Sequence, residues 1–218
     1  MSGRDGDDRG AQHEAIERAV SDYYTGKLRA FGATPGGVDW KDAGSQELRF
    51  SQLRRVFDSN GGSLIDYGCG YGGLLGFLRN GGWTGRYLGI DLSAAMIEAA
   101  RAHCANWQDA RFLQAAAPDE AADYAVASGI FNVRLDVSKE AWHGYMMDVL
   151  GNMNQNANLG FAFNCLTSYS DHDKMREDLF YADPLFLFDF CKKNFSRNVA
   201  LLHDYGLYEF TIIVRKHV

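Results

Sequence analysis

The chain has 218 residues, of which 46% are apolar and 13% aromatic, and a net charge of −6. This is enough apolar material for a single large core and excludes a disordered chain, while the acidic balance and the lack of any Lys/Arg run longer than two residues argue against a nucleic-acid partner. No segment approaches the roughly 18 apolar residues of a membrane span, and the charged N-terminus lacks a signal-peptide core, so a cytoplasmic protein is expected.

Residues 1–10 are Gly, Asp and Arg with almost nothing to bury, which reads as a disordered N-terminus. From Ala11 to Phe31 the apolar residues Ile16, Val20, Tyr23, Tyr24 and Leu28 recur at three and four, the pattern of an amphipathic helix. Gly32 to Gly37 ends it, Val38-Asp39-Trp40 forms a loop, and Ser45 is placed to cap a second helix running to about Phe57. Both helices precede the first core strand, so residues 11–58 read as a helical lid over whatever the sheet binds. Tyr23, Tyr24, Trp40 and Arg49 are its residues with chemistry to offer.

Residues 59–218 then form the main domain. Leu64-Ile65 is a short apolar run between Gly61-Gly62 and Gly68, which fits a buried strand, and Leu74, Leu75, Phe77 and Leu78 follow at helical spacing. Between strand and helix lies Asp66-Tyr67-Gly68-Cys69-Gly70-Tyr71-Gly72-Gly73. Bare glycines let the backbone take positive φ and let a flat ligand lie against it. A second apolar run, Tyr87 to Ile90, ends in Asp91, placed to accept hydrogen bonds from both hydroxyls of a ribose. Asp66, two residues ahead of the first glycine, would repel a pyrophosphate and suits a cationic amino-acid moiety instead.

Ser93 caps a helix through Ala105, and Arg111 to Gln114 is a brief third strand. Asp123 to Ala127 is a fourth, with Ser128 to Asn132 as its exit loop; ligands of doubly wound sheets sit beyond such carboxyl ends. Asn132 could orient a substrate hydroxyl or amine, or satisfy its own turn. Ser138 caps a helix from Lys139 to about Asn156, with Trp142, Met146, Val149, Leu150 and Met153 on a core stripe and His143 near its start as a candidate general base. Gly160 to Leu166 is a buried fifth strand. The polar loop Thr167 to Asp183 holds His172, a candidate base or substrate contact. Asp171-His172-Asp173 is discounted as a metal cluster because adjacent residues diverge, and no metal is expected. Pro184 opens a helix whose Leu185, Phe186, Phe188, Phe190 and Phe195 are expected to pack on the sheet, and Val199 to Val214 reads as an antiparallel hairpin. Cys69, Cys104, Cys165 and Cys191 are too widely spaced for a metal pair or disulfide frame.

The run Asp66-x-Gly68-x-Gly70-x-Gly72, with Ile90-Asp91-Leu92-Ser93 and Met96, resembles the first two cofactor segments of the class I S-adenosylmethionine-dependent methyltransferases. The resemblance covers most of the chain from about residue 45 onward. It implies an α/β, doubly wound, mostly parallel seven-stranded Rossmann-like sheet closed by the C-terminal antiparallel hairpin, with S-adenosylmethionine as cofactor. It implies Asp66, Gly68, Cys69 and Gly70 at the methionine end, Asp91 on the ribose, and Leu92 and Met96 at the adenine. Gln114 and Ala115 end the third strand at the adenine edge, where the family usually has an acid. Ser128, Gly129 and Ile130 would face the transferred methyl, Tyr24 would shield the sulfonium, and Arg49 would pair with the methionine carboxylate. The reading is methyl transfer to a small polar molecule of sugar or secondary-metabolite type, with no nucleic-acid or membrane partner. A non-catalytic S-adenosylmethionine-binding subunit is one alternative. A nicotinamide-dependent reductase is another, disfavoured by Asp66, which would repel its pyrophosphate.

Overall fold

The computed structural model describes residues 3–216. Five parallel strands form the body of a seven-stranded sheet: β1 (Ser63–Tyr67), β2 (Arg86–Asp91), β3 (Ala110–Gln114), β4 (Ala122–Ala127) and β5 (Ala157–Leu166). The hairpin β6 (Asn198–Leu202) and β7 (Glu209–Arg215) completes it, β7 running antiparallel to both β5 and β6, in the order β3-β2-β1-β4-β5-β7-β6. The order reverses between β1 and β4, and the crevice beyond their carboxyl ends is where such sheets bind ligands. The strand series, the helices on both faces and the terminal hairpin are those expected.

β1 is buried along its whole length, as a central strand covered on both faces must be. On one face α2 (Ala43–Leu53), α3 (Gly73–Asn80) and α4 (Ala94–His103) bury Phe50, Leu53, Leu74, Leu75, Ile97 and Ala100 against Leu64, Tyr87 and Val126. On the other, α5 (Lys139–Asn156) and α6 (Pro184–Asn194) pack Met146, Leu150, Leu187 and Cys191 against Ile65, Ala125 and Phe163. Ser93 and Ser138 cap α4 and α5 as expected, accepting from the Met96 and Ala141 N–H groups at 3.2 Å each.

Several local readings are corrected. The first helix, α1, spans Gly3–Phe31, so it includes most of the stretch expected to be disordered; Met1 and Ser2 lie outside the described residues. α2 is capped by Asp42, whose Oδ1 accepts from the Ser45 N–H at 2.7 Å, and passes at Arg54 into a 3-10 turn. Leu53 and Val56 are fully buried against the sheet, so α2 belongs to the core as much as to a cover. Leu185 and Phe186, expected on the sheet, are 59% and 45% exposed, because the phase of α6 is set by Leu187 and Cys191.

α1 roofs the carboxyl end of the sheet. Near its start the Arg9 guanidinium donates to Asp148 Oδ1 of α5 at 3.0 Å, and His13 meets Tyr145 edge-on at 5.3 Å. Farther along, Ser21 Oγ donates to the Leu92 carbonyl at 3.3 Å and Thr25 Oγ1 bonds Ser93 Oγ at 2.7 Å. The helix is therefore tied at one end to the far face of the sheet and at the other to the start of α4.

Candidate active site

The glycine turn is shaped by what presses on it. Gly68 and Gly70 have φ of 68° and 53°, in the left-handed region glycine favours. A Cβ on Gly68 would overlap Ile130, and one on Gly70 would lie 2.8 Å from Val38 Cγ1, so the loop after β4 and the segment after α1 both need a bare backbone here.

Asp91 ties this turn to the next element. Its Oδ2 accepts from the Gly70 N–H and its Oδ1 from the Ser93 N–H, each at 2.9 Å. Each oxygen keeps a further lone pair for a ligand hydroxyl. Burial pushes the Asp91 carboxyl up to about 6, and the backbone donors hold it from rising further. Asp66 accepts from the Tyr87 hydroxyl at 2.5 Å; burial pushes it up to about 7, the Tyr87 bond opposing and the Asp91 charge adding to the rise. Between the unfolded carboxylate value near 4 and these folded values, the folded chain therefore holds more protons than the unfolded one. Stability of the ligand-free protein should fall as pH rises from about 4 to about 7, and substitution of Asp66 by Asn should flatten that slope in urea unfolding followed across pH.

Both acids line a cavity enclosing about 1030 Å³, its opening to solvent included. α1 supplies Val20, Ser21 and Tyr24, and the segment after it Val38 and Trp40; α2 supplies Gln46 and Phe50; α5 supplies Trp142, Tyr145 and Val149. Among the described residues no Lys, Arg or His lines it, so they give the site two carboxyls and no cation to balance them. It suits a ligand carrying positive charge.

Of the residues expected at the site, Tyr24, Asp66, Gly68, Cys69, Gly70, Asp91, Leu92, Met96, Ala115, Ser128 and Ile130 all line this cavity. Others do not. Arg49 is held by Glu209, its Nε and Nη2 donating to the two carboxylate oxygens at 2.8 and 2.7 Å, so its guanidinium is unavailable to a ligand carboxylate. Gln114 turns outward and donates to the Leu92 carbonyl at 3.2 Å; the chain meets the cavity at Ala115 and Ala116 instead. Asn132 is 4% exposed and its Oδ1 accepts from the Leu166 N–H at 3.0 Å, so it braces β5. His143 packs on Phe186 of α6, with ring centroids 5.0 Å apart, and His172 is exposed on a short 3-10 turn; neither lines the cavity.

Gly129 acts at one remove. It takes φ of 76°, donates its N–H to Asn164 Oδ1 at 2.7 Å, and lies under the Trp40 indole, which would overlap any Cβ there. The Arg49 guanidinium stacks on Trp40 at 3.9 Å from the ring centroid, so the indole is held between an ion pair and a bare backbone. Gly129→Ala should lose about 1–3 kcal/mol in urea unfolding by combining overpacking with a strained φ.

Gln46, Phe50, Tyr71, Tyr145 and Ala116 also line the cavity and belong to no sequence motif. One signal is present in the sequence: Gln46, Phe50 and Leu53 fall on one helical stripe, so Gln46 is an amide in register with two core residues.

A family model described as a methyltransferase domain matches residues 64–152, from the start of β1 into α5. A Mycobacterium tuberculosis protein named as a methyltransferase, Rv1506c, is 54% identical over 154 residues, covering 71% of this chain and 93% of its own. The chain belongs to the class I S-adenosylmethionine-dependent methyltransferases. As a class I methyltransferase it takes S-adenosylmethionine as cofactor. The methyltransferase fold is shared with DhpI solved with S-adenosylhomocysteine (TM-score 0.62, 16% identity, 92% of this chain and 96% of that one). It is shared also with human N-acetylserotonin methyltransferase solved with S-adenosylmethionine (TM-score 0.58, 12% identity, 81% of this chain and 57% of that one).

Proposed function

We propose that this methyltransferase acts in the cytoplasm on a small polar molecule of sugar or secondary-metabolite type. The observation that carries the reading is the roof: α1 crosses the carboxyl end of the sheet and is tied to α5 and to the start of α4, so the reacting centre lies inside a covered cavity with no basic surface lining it. A covered site admits small molecules and disfavours polymers. Among the described residues no helix is long and apolar enough to cross a membrane.

The residues present fit the cofactor. Asp91 would take the ribose hydroxyls on its free lone pairs, Leu92, Met96, Ala115 and Ala116 would enclose the adenine, and the Gly68–Gly70 backbone with Asp66 would face the amino-acid end. Tyr24, Trp40, Ser128 and Ile130 would wall the methyl. Ser128 Oγ supports this placing, since in this cavity-lining residue it is buried with no hydrogen-bond partner among the described residues. When bound, S-adenosylmethionine supplies a methyl already activated by its sulfonium. The work left to the chain is alignment and exclusion of water, and neither candidate histidine is needed for that.

The test supplies methyl-labelled S-adenosylmethionine to the purified protein together with cell extract divided by ultrafiltration. Label is expected in the small-molecule fraction. Label confined to protein or nucleic acid would overturn the reading, and cofactor binding with no transfer to either fraction would favour a non-catalytic binding subunit.

A further inference from the structure

Arg49, the residue expected to meet the cofactor's carboxylate, is paired with Glu209, and among the described residues no other cation lines the cavity. A carboxylate entering this site must therefore be received by a neutral donor, and one is already in position. Gln46 is only 6% exposed and lines the cavity. Its Oε1 accepts from the Tyr71 hydroxyl at 2.9 Å, which fixes the amide's orientation, while its Nε2 has no partner among the described residues. The Nε2 is therefore free to donate to a ligand acceptor in the cavity that Gln46 lines, with the amide already held in one orientation.

Its place in the cavity fits one part of the ligand. Tyr71 directly follows Gly70, whose N–H is held by Asp91, and Val38 presses on Gly70 from the lid. Gln46 thus sits past the glycine turn, on α2, whereas Ala115 and Ala116 follow β3 at the far edge of the sheet. A nucleoside with its ribose at Asp91 and its base toward β3 sends its amino-acid tail toward Gln46.

We propose that Gln46 binds the carboxylate of the cofactor's amino-acid end through Nε2, with Tyr71 holding the amide in register. The proposal rests on the S-adenosylmethionine reading of the cavity. A neutral donor suits the setting: the two carboxyls, Asp66 and Asp91, attract the sulfonium and ammonium, and an amide adds a carboxylate contact without an unpaired buried cation.

The experiment compares two probes by calorimetry: S-adenosylhomocysteine, and 5′-methylthioadenosine, which keeps the nucleoside and sulfur but lacks the amino acid. Gln46→Ala should weaken S-adenosylhomocysteine by about tenfold or more and leave 5′-methylthioadenosine within about twofold. Gln46→Glu should weaken S-adenosylhomocysteine further than Gln46→Ala, because it sets one carboxylate against another. Equal losses for both probes would show that Gln46 only supports the lid, and unchanged affinity or tighter binding by Gln46→Glu would equally overturn the proposal. Failure of the unmodified protein to bind S-adenosylhomocysteine would instead remove the cofactor reading beneath it.

Discussion

Replacing Asp91 with alanine should weaken S-adenosylhomocysteine binding by about 100-fold, the largest loss expected from any single change in the cavity. The size follows from the carboxylate's double duty. Its two oxygens already accept the Gly70 and Ser93 N–H groups, so removing it frees the glycine turn and the start of α4 together. It also removes the acceptors proposed for the ribose. Asp91→Asn should recover only part of the affinity, because its NH2 must face one of two backbone donors. Both variants should keep the wild-type circular dichroism, since β2 is held by its neighbours β1 and β3 along its full length. A loss of less than about threefold in Asp91→Ala would mean that the ribose is held elsewhere.

The second large effect belongs to stability. Glu209 is 1% exposed and Arg49 8%, and they meet in a bidentate pair, with Arg49 Nη1 also donating to the Ser45 carbonyl at 2.7 Å. Glu209→Ala leaves a guanidinium buried without its counter-charge and should cost about 3–5 kcal/mol in urea unfolding. Arg49→Ala should cost a similar amount by stranding the carboxylate. Because desolvation offsets most of the attraction in such pairs, the apolar double variant Arg49→Met/Glu209→Leu should return to within about 1–2 kcal/mol of wild type. That recovery would separate the pair's structural role from a cofactor contact: the double variant should still bind S-adenosylhomocysteine, whereas an Arg49 that touched the cofactor would leave it weak.

This pair also marks the limit of what the sequence discloses. Asp66, the glycine turn and Asp91 are legible because strand, turn, helix and the end of the next strand lie within 30 residues and each leaves a local pattern. Leu92, Met96 and Ala115 follow from the same strand-end logic. Arg49 and Glu209 are 160 residues apart, and no spacing rule joins them, so a cation on α2 reads as a ligand contact until the partner strand is placed. The histidines fail for a related reason. A base can be nominated by residue type, but whether His143 faces the cavity or α6 depends on the helix phase, which is fixed by Trp142 and Met146 entering the core. Gln114 and Asn132 are polar residues at strand ends that satisfy nearby backbone groups, and local chemistry alone does not tell that from ligand recognition. α1 reaches farther back than composition suggests because contacts made by Arg9 and His13 with α5 hold its early turns.

The most direct measurement is a crystal structure of the protein with S-adenosylhomocysteine. The ribose hydroxyls should sit on the Asp91 carboxylate, with the base between Met96 and Ala115 and the sulfur beneath Trp40. A ligand bound outside this cavity, or inside it with Asp91 bonded only to Gly70 and Ser93, would contradict the account.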